Sequence, residues 1–259
     1  MRELTLHELI ATACVMMVVS ILAIILRFVL QWVRRDRIHR EDALVAFAFT
    51  VFLVLAILSL VLAPIAYHIV DMQHDMIRQY DGISADEVFQ LRTTFVCSLL
   101  FPTVLWSVKL SLMSISHRIV DKQPENVRRC WWALLGFVIV TFIGCLVVSF
   151  TRCSNFTDSF DPSSCKTTRD INAQLASFYF VVVVDIITDI LIMIFPIIVL
   201  RKVQIKRSLY LRTSVIFSVG TLCIVTALCR GITLGVGMGL DMPTFPWLAF
   251  WGLVEGGIG

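Results

Sequence analysis

Between Phe178 and Leu200 the chain reads FYFVVVVDIITDILIMIFPIIVL, a run apolar and long enough to cross a bilayer that still contains Asp185 and Asp189. A carboxylate at mid-membrane costs at least ~2.5–3.5 kcal/mol, so such groups face a partner or a wet cavity. Four residues apart, the two acids share one helical face, one turn above the other. Pro196 follows near the end of the run, where it loosens the last turns. Any fold must give these two carboxylates something to meet.

The remainder of the chain is of the same kind. Hydrophobic residues make up 58% of the 259 positions and charged residues only 16%, against about 25% charged in soluble domains. The mean hydropathy is +0.86. Six full spans are expected, at about 9–33, 43–67, 91–119, 130–151, 173–200 and 213–239. A seventh, at 245–259, opens as FPWLAFWGLVEGGIG. It covers only about 20 Å of a ~30 Å hydrocarbon core and is read as truncated. The first run is too long for a signal peptide and lacks a small-residue cleavage site, so it is read as a retained span. The expected fold is all-α: one polytopic domain, a seven-transmembrane helix bundle with its seventh helix incomplete.

Lys and Arg are unevenly placed around these spans. Thirteen flank the first, third and fifth loops and five flank the second, fourth and sixth, which puts the odd loops in the cytoplasm and the N-terminus outside. The fourth loop then lies in the oxidising compartment. It contains Cys153 and Cys165, a candidate disulfide with Cys97 as a rival partner, and the sequon at Asn155. The eight cysteines show no metal-ligand spacing. His68 and His74, among Asp71 and Asp75, are read as a solvated polar loop rather than a metal site.

Counting from the helix ends places Lys109, Asp189 and Glu255 near mid-membrane, Lys109 ~15 Å deep. That depth exceeds the reach of a snorkelling lysine. A pair between Lys109 and Asp189, Asp185 or Glu255 is therefore expected, with holding the bundle together placed ahead of ligand binding. Arg27 lies close enough to its helix end to snorkel. Arg230 has two open readings, neutralising a carboxylate or facing an outer vestibule. The glycines at 231, 235, 237 and 239 suit close helix packing. The cytoplasmic stretch RKVQIKRSLYLR (201–212) carries five positive charges and no negative one. It is read first as an anchor against anionic lipid and second as a docking surface for a cytosolic partner.

No HExxH, GxSxG or phosphate-binding loop is present, so no enzyme activity, metal or cofactor is expected. No lysine follows Lys206, which leaves the seventh helix without a Schiff-base site for retinal.

Several segments resemble the fungal family of seven-helix membrane proteins labelled "rhodopsin domain". They include WSVKLSL (106–112), the loop from Cys153 to Cys165, and DIITDILIMIFP (185–196). The sixth helix ending in Arg230, and WGLVE (251–255), complete the set. Glu41 and Asp42 stand where the family often has an acidic pair, although the usual following Trp is missing. The resemblance covers nearly the whole chain. It implies a receptor-like bundle with the N-terminus outside, and it does not imply light sensing.

Two functions follow as expectations. One is a sensor of a small ligand, akin to a G-protein-coupled receptor, in the plasma membrane. Its cavity would be lined by Lys109, Asp185, Asp189, Arg230 and Glu255, and Arg118, Lys202, Lys206 and Arg207 would couple to a cytosolic signalling protein such as a G protein. The other is a metabolite transporter or transport helper, against which stands the lack of an internal repeat or a span broken at mid-depth. The bilayer is the one partner common to both, and no nucleic-acid partner is expected.

Overall fold

The computed structural model describes residues 5–34, 40–75, 83–120, 124–152, 168–200, 207–237 and 245–258. Among these residues every regular element is an α-helix. In chain order they are α1 (Leu6–Arg34), α2 (Arg40–Asp75), α3 (Ile83–Val120), α4 (Glu125–Phe150), α5 (Thr168–Leu200), α6 (Arg207–Gly237) and α7 (Phe245–Ile258). Helix is the physical consequence of lipid as solvent. Every backbone N–H and C=O that enters the hydrocarbon must be satisfied within its own segment.

Five of the described helices, α1 to α5, are long and apolar enough to span a membrane, and α6 carries a shorter apolar stretch at Phe217–Thr233. Apolar side chains such as Leu22 and Leu26 on α1, Val140 and Ile143 on α4, and Val183 and Ile187 on α5 are exposed. Lipid tails cover such faces. The chain is a multi-pass membrane protein with an all-helical bundle.

The helices run past their apolar stretches. Helix α2 continues beyond Tyr67 to Asp75, and α3 begins at Ile83, before the apolar run at about 91. Hydropathy reports only the part that lipid surrounds, while i→i−4 bonding persists into the polar interface. His68, expected in a loop, consequently lies on α2, as does His74.

Each helix packs on the next in sequence, and α7 returns to α1, which closes a ring. Helix α3 also meets α5 and α7, and α7 also meets α2, so α3 stands inside the ring. Its two faces serve two cores. Val104 joins Leu9, Ala13, Phe52, Ala56 and Leu253, the packing of α1, α2 and α7. Leu105, Trp106 and Met113 join Trp131, Val138, Cys145 and Ile192, the packing of α4 and α5. Pro102 lies within α3, where it removes one backbone donor from the helix. Close by, the Ser98 and Thr103 hydroxyls donate to the carbonyls of Phe95 and Leu99, both at 2.7 Å.

Small residues let α7 approach its neighbours. A Cβ at Gly256 would stand 3.1 Å from the Phe52 ring, and one at Gly257 would stand 3.1 Å from Met16. Without a hydrophobic drive between helices in lipid, such close van der Waals contact is a main source of association. Gly256→Leu is expected to destabilise the bundle by about 1–3 kcal/mol through overpacking. Thermal unfolding of the detergent-purified chain checks this, and a midpoint equal to that of the parent would count against it.

Candidate functional site

The interior of the bundle holds an ionic cluster, and its construction starts on α3. Trp106 and Lys109 are three residues apart, hence on one face. The fully buried Trp106 donates its indole N–H to the Val138 carbonyl at 2.9 Å, with the Thr141 hydroxyl at 3.3 Å. This fixes the ring against α4. The Lys109 ammonium then sits 5.0 Å from the ring centroid, in reach of a cation–π contact.

Helix α5 supplies the anions. Residues 185, 188 and 189 share a face, and all three are buried. Lys109 Nζ donates to Asp185 Oδ1 at 2.8 Å, to the Asp185 carbonyl at 2.8 Å and to Thr188 Oγ1 at 2.6 Å. Asp189 Oδ1 lies 3.0 Å away on the same ammonium. An ammonium has three protons and no acceptor. Four oxygens around it satisfy the group completely, as an interior charge requires.

Helices α6 and α7 add a second cation and a third acid. Arg230 is 2% exposed and Glu255 is 1% exposed. Arg230 Nη1 lies 3.1 Å from Glu255 Oε2, and Nη2 lies 3.8 Å from Asp185 Oδ2. The guanidinium is stacked over Phe101 of α3, 4.6 Å from the ring centroid. Gly231 permits this depth, because a Cβ there would already be 3.2 Å from Val182 of α5. Asp185 therefore stands between two cations from different helices, and four helices meet on it.

The five residues singled out as a buried polar network, Lys109, Asp185, Asp189, Arg230 and Glu255, are thus together. Of the two readings of Arg230, carboxylate neutralisation is what the geometry places there. Arg118 lies in the last turn of α3 and Arg207 opens α6. Cys153, Cys165, Asn155, Lys202 and Lys206 lie outside the described residues. Cys97 is a free thiol, half-buried on α3.

Arg27 has a partner that the sequence reading did not name. Its Nη2 and Nε donate to Asp42 Oδ1 at 3.0 and 3.3 Å, with the Asp42 side chain only 3% exposed. The start of α2 thus presents a buried carboxylate to the half-buried arginine on α1. Sequence reasoning also missed Thr188, Trp106 and Phe101. Two carried a usable signal: Thr188 follows Asp185 by three residues and Trp106 precedes Lys109 by three. Phe101 carried none, because α6 brings its partner from far along the chain.

In a comparison with protein families the chain matches the family described as "Fungal rhodopsin domain" over residues 26–259. Neither the curated proteins nor the solved structures give a match. The matched region takes in the whole ionic cluster.

Removing the ammonium would leave Asp185 and Asp189 buried without their main donor. Lys109→Met is expected to cost about 3–5 kcal/mol, the range for breaking a buried ion pair from one side. Asp189→Asn, which keeps an oxygen for the ammonium and lies at the more open edge of the cluster, should cost clearly less. Thermal midpoints of the two purified variants decide, and equal losses would contradict this arrangement.

Proposed function

Given that the chain belongs to the fungal rhodopsin domain family, we propose that it is a receptor-like sensor of a small ligand, without catalytic activity of its own. The observation that carries this reading is the sharing of Asp185 between a cation on α3 and one on α6, with α7 attached through Glu255. A ligand that competes for one member of such a cluster changes the partners of the others. Packed interiors respond to such changes by moving between discrete arrangements rather than by stretching. Differential affinity for two arrangements is what a sensor needs.

In this reading the N-terminus faces outward and the plasma membrane is the site of action, in keeping with the excess of Lys and Arg in the odd loops. The basic segment at 201–212 and the end of α3 around Arg118 form the cytoplasmic side, where a G protein is the natural partner class. Cys153, Cys165 and Asn155 belong on the opposite, oxidising side.

The test is nucleotide exchange on a heterotrimeric G protein co-reconstituted with the full chain in vesicles. Replacing Lys202, Lys206 and Arg207 together by glutamine should lower the rate stimulated by the chain about tenfold, within the usual range of coupling energies. Exchange that is the same with and without the chain, or unchanged by the triple variant in correctly oriented vesicles, would overturn the proposal. If gene deletion also changed the ratio of a metabolite inside and outside the cell, transport would take its place.

A further inference from the structure

The formal charges of the buried cluster do not balance. Lys109 and Arg230 bring two positive charges, whereas Asp185, Asp189 and Glu255 bring three negative charges when fully ionised. Each of the five residues is at least nine-tenths buried. Among the described residues Lys109 and Arg230 are the cations at the cluster, so a surplus charge buried there is costly.

The surplus has a definite place. The carboxyl groups of Asp185 on α5 and Glu255 on α7 converge on one guanidinium, with Arg230 Nη2 3.8 Å from Asp185 Oδ2 and Nη1 3.1 Å from Glu255 Oε2. Asp185 Oδ2 and Glu255 Oε2 are both buried and neither accepts a hydrogen bond. The Arg230 nitrogen 3.1 Å from Glu255 Oε2 forms an ion pair with it without a hydrogen bond. Two ionised carboxylates so placed only repel, since both are acceptors. A proton between them supplies the missing donor and removes the surplus charge in one step.

We propose that Asp185 and Glu255 share one proton, so that the folded cluster is electroneutral and α5 is joined to α7 by an acid–carboxylate hydrogen bond. The other groups around the pair are arranged for this. Lys109 of α3 occupies Asp185 Oδ1 and leaves Oδ2 for the proton. Asp189 is held by the same ammonium, one turn further along α5. Arg230 of α6 stabilises the one negative charge that the pair retains. Among the described residues, Cys145 of α4 and Cys223 of α6 also lie near the cluster; as thiols they add no formal charge at neutral pH. A bound metal ion is the less suitable neutraliser, because among the described residues no three acidic, His or Cys groups converge to hold one. Loss of the shared proton converts the α5–α7 contact from attraction to repulsion, so the pair is a one-proton latch. This inference stands independently of the sensor reading.

Infrared spectroscopy on the full chain in lipid nanodiscs tests it. At neutral pH the native protein should show the carbonyl stretch of a protonated carboxylic acid, shifted in heavy water. The band should disappear in Glu255→Gln and in Asp185→Asn, each of which replaces the shared acid by an amide of the same shape. A native spectrum without such a band would overturn the proposal, and so would a band that persists in both variants. A band lost from the native protein when sodium replaces a bulky organic cation at constant pH would also overturn it, by making a metal ion the neutraliser. Should the amide variants fail to fold, the native spectrum decides alone.

Discussion

A charged amine in hydrocarbon must find oxygen, and in this bundle Lys109 finds all of its oxygens on one helix. That requirement draws α3 and α5 together across the ring. In lipid the apolar surfaces of the helices gain little by turning inward, because the tails outside are as apolar as the neighbours inside. Polar contacts and close packing therefore decide which helices meet. Helix α3 supplies both, with Lys109 on one side and the apolar contacts of Val104, Leu105 and Trp106 around it.

The second cation extends the same logic to α6 and α7. Arg230 is underlaid by Phe101, as Lys109 is flanked by Trp106, so each cation has an aromatic partner on α3 and carboxylates on other helices. The aromatic faces contribute some attraction. Asp185 is the only one of the three acids that touches both cations. Its position makes the cluster a single connected object rather than two separate ion pairs. Arg27 and Asp42 form a further ion pair where α1 and α2 meet, apart from the cluster.

Much of this was legible in the residues. The spacing of Asp185 and Asp189 placed both on one face, and the depth of Lys109 put it beyond a snorkelling lysine's reach, toward an interior pair or cavity. The cost of charge in lipid then left few alternatives, so the members of the cluster could be named. Which carboxylate each cation takes was not legible. That depends on the rotation and tilt of α6 and α7 about α3 to within an ångström or two, and a hydropathy pattern carries no such information. The Asp42 partner of Arg27 was missed for a related reason. Distance from the helix end describes a helix alone, and the partner came from the beginning of the next one. The polar ends of α2 and α3 escaped notice because apolar periodicity stops at the membrane interface while backbone hydrogen bonding does not.

The most direct test of the account is the separation between Lys109 Nζ and the carboxyl carbons around it in a bilayer. Solid-state NMR on the full chain, with nitrogen-15 in the lysine side chains and carbon-13 in the Asp and Glu carboxyls, measures it. The other lysines, Lys122, Lys166, Lys202 and Lys206, all lie outside the expected spans, which makes a buried lysine signal assignable. Strong dipolar coupling of one slowly exchanging ammonium to two aspartate carboxyls is expected, the stronger of them lost in Asp185→Asn. A Lys109 ammonium that exchanges freely with water and couples to no carboxyl would contradict it.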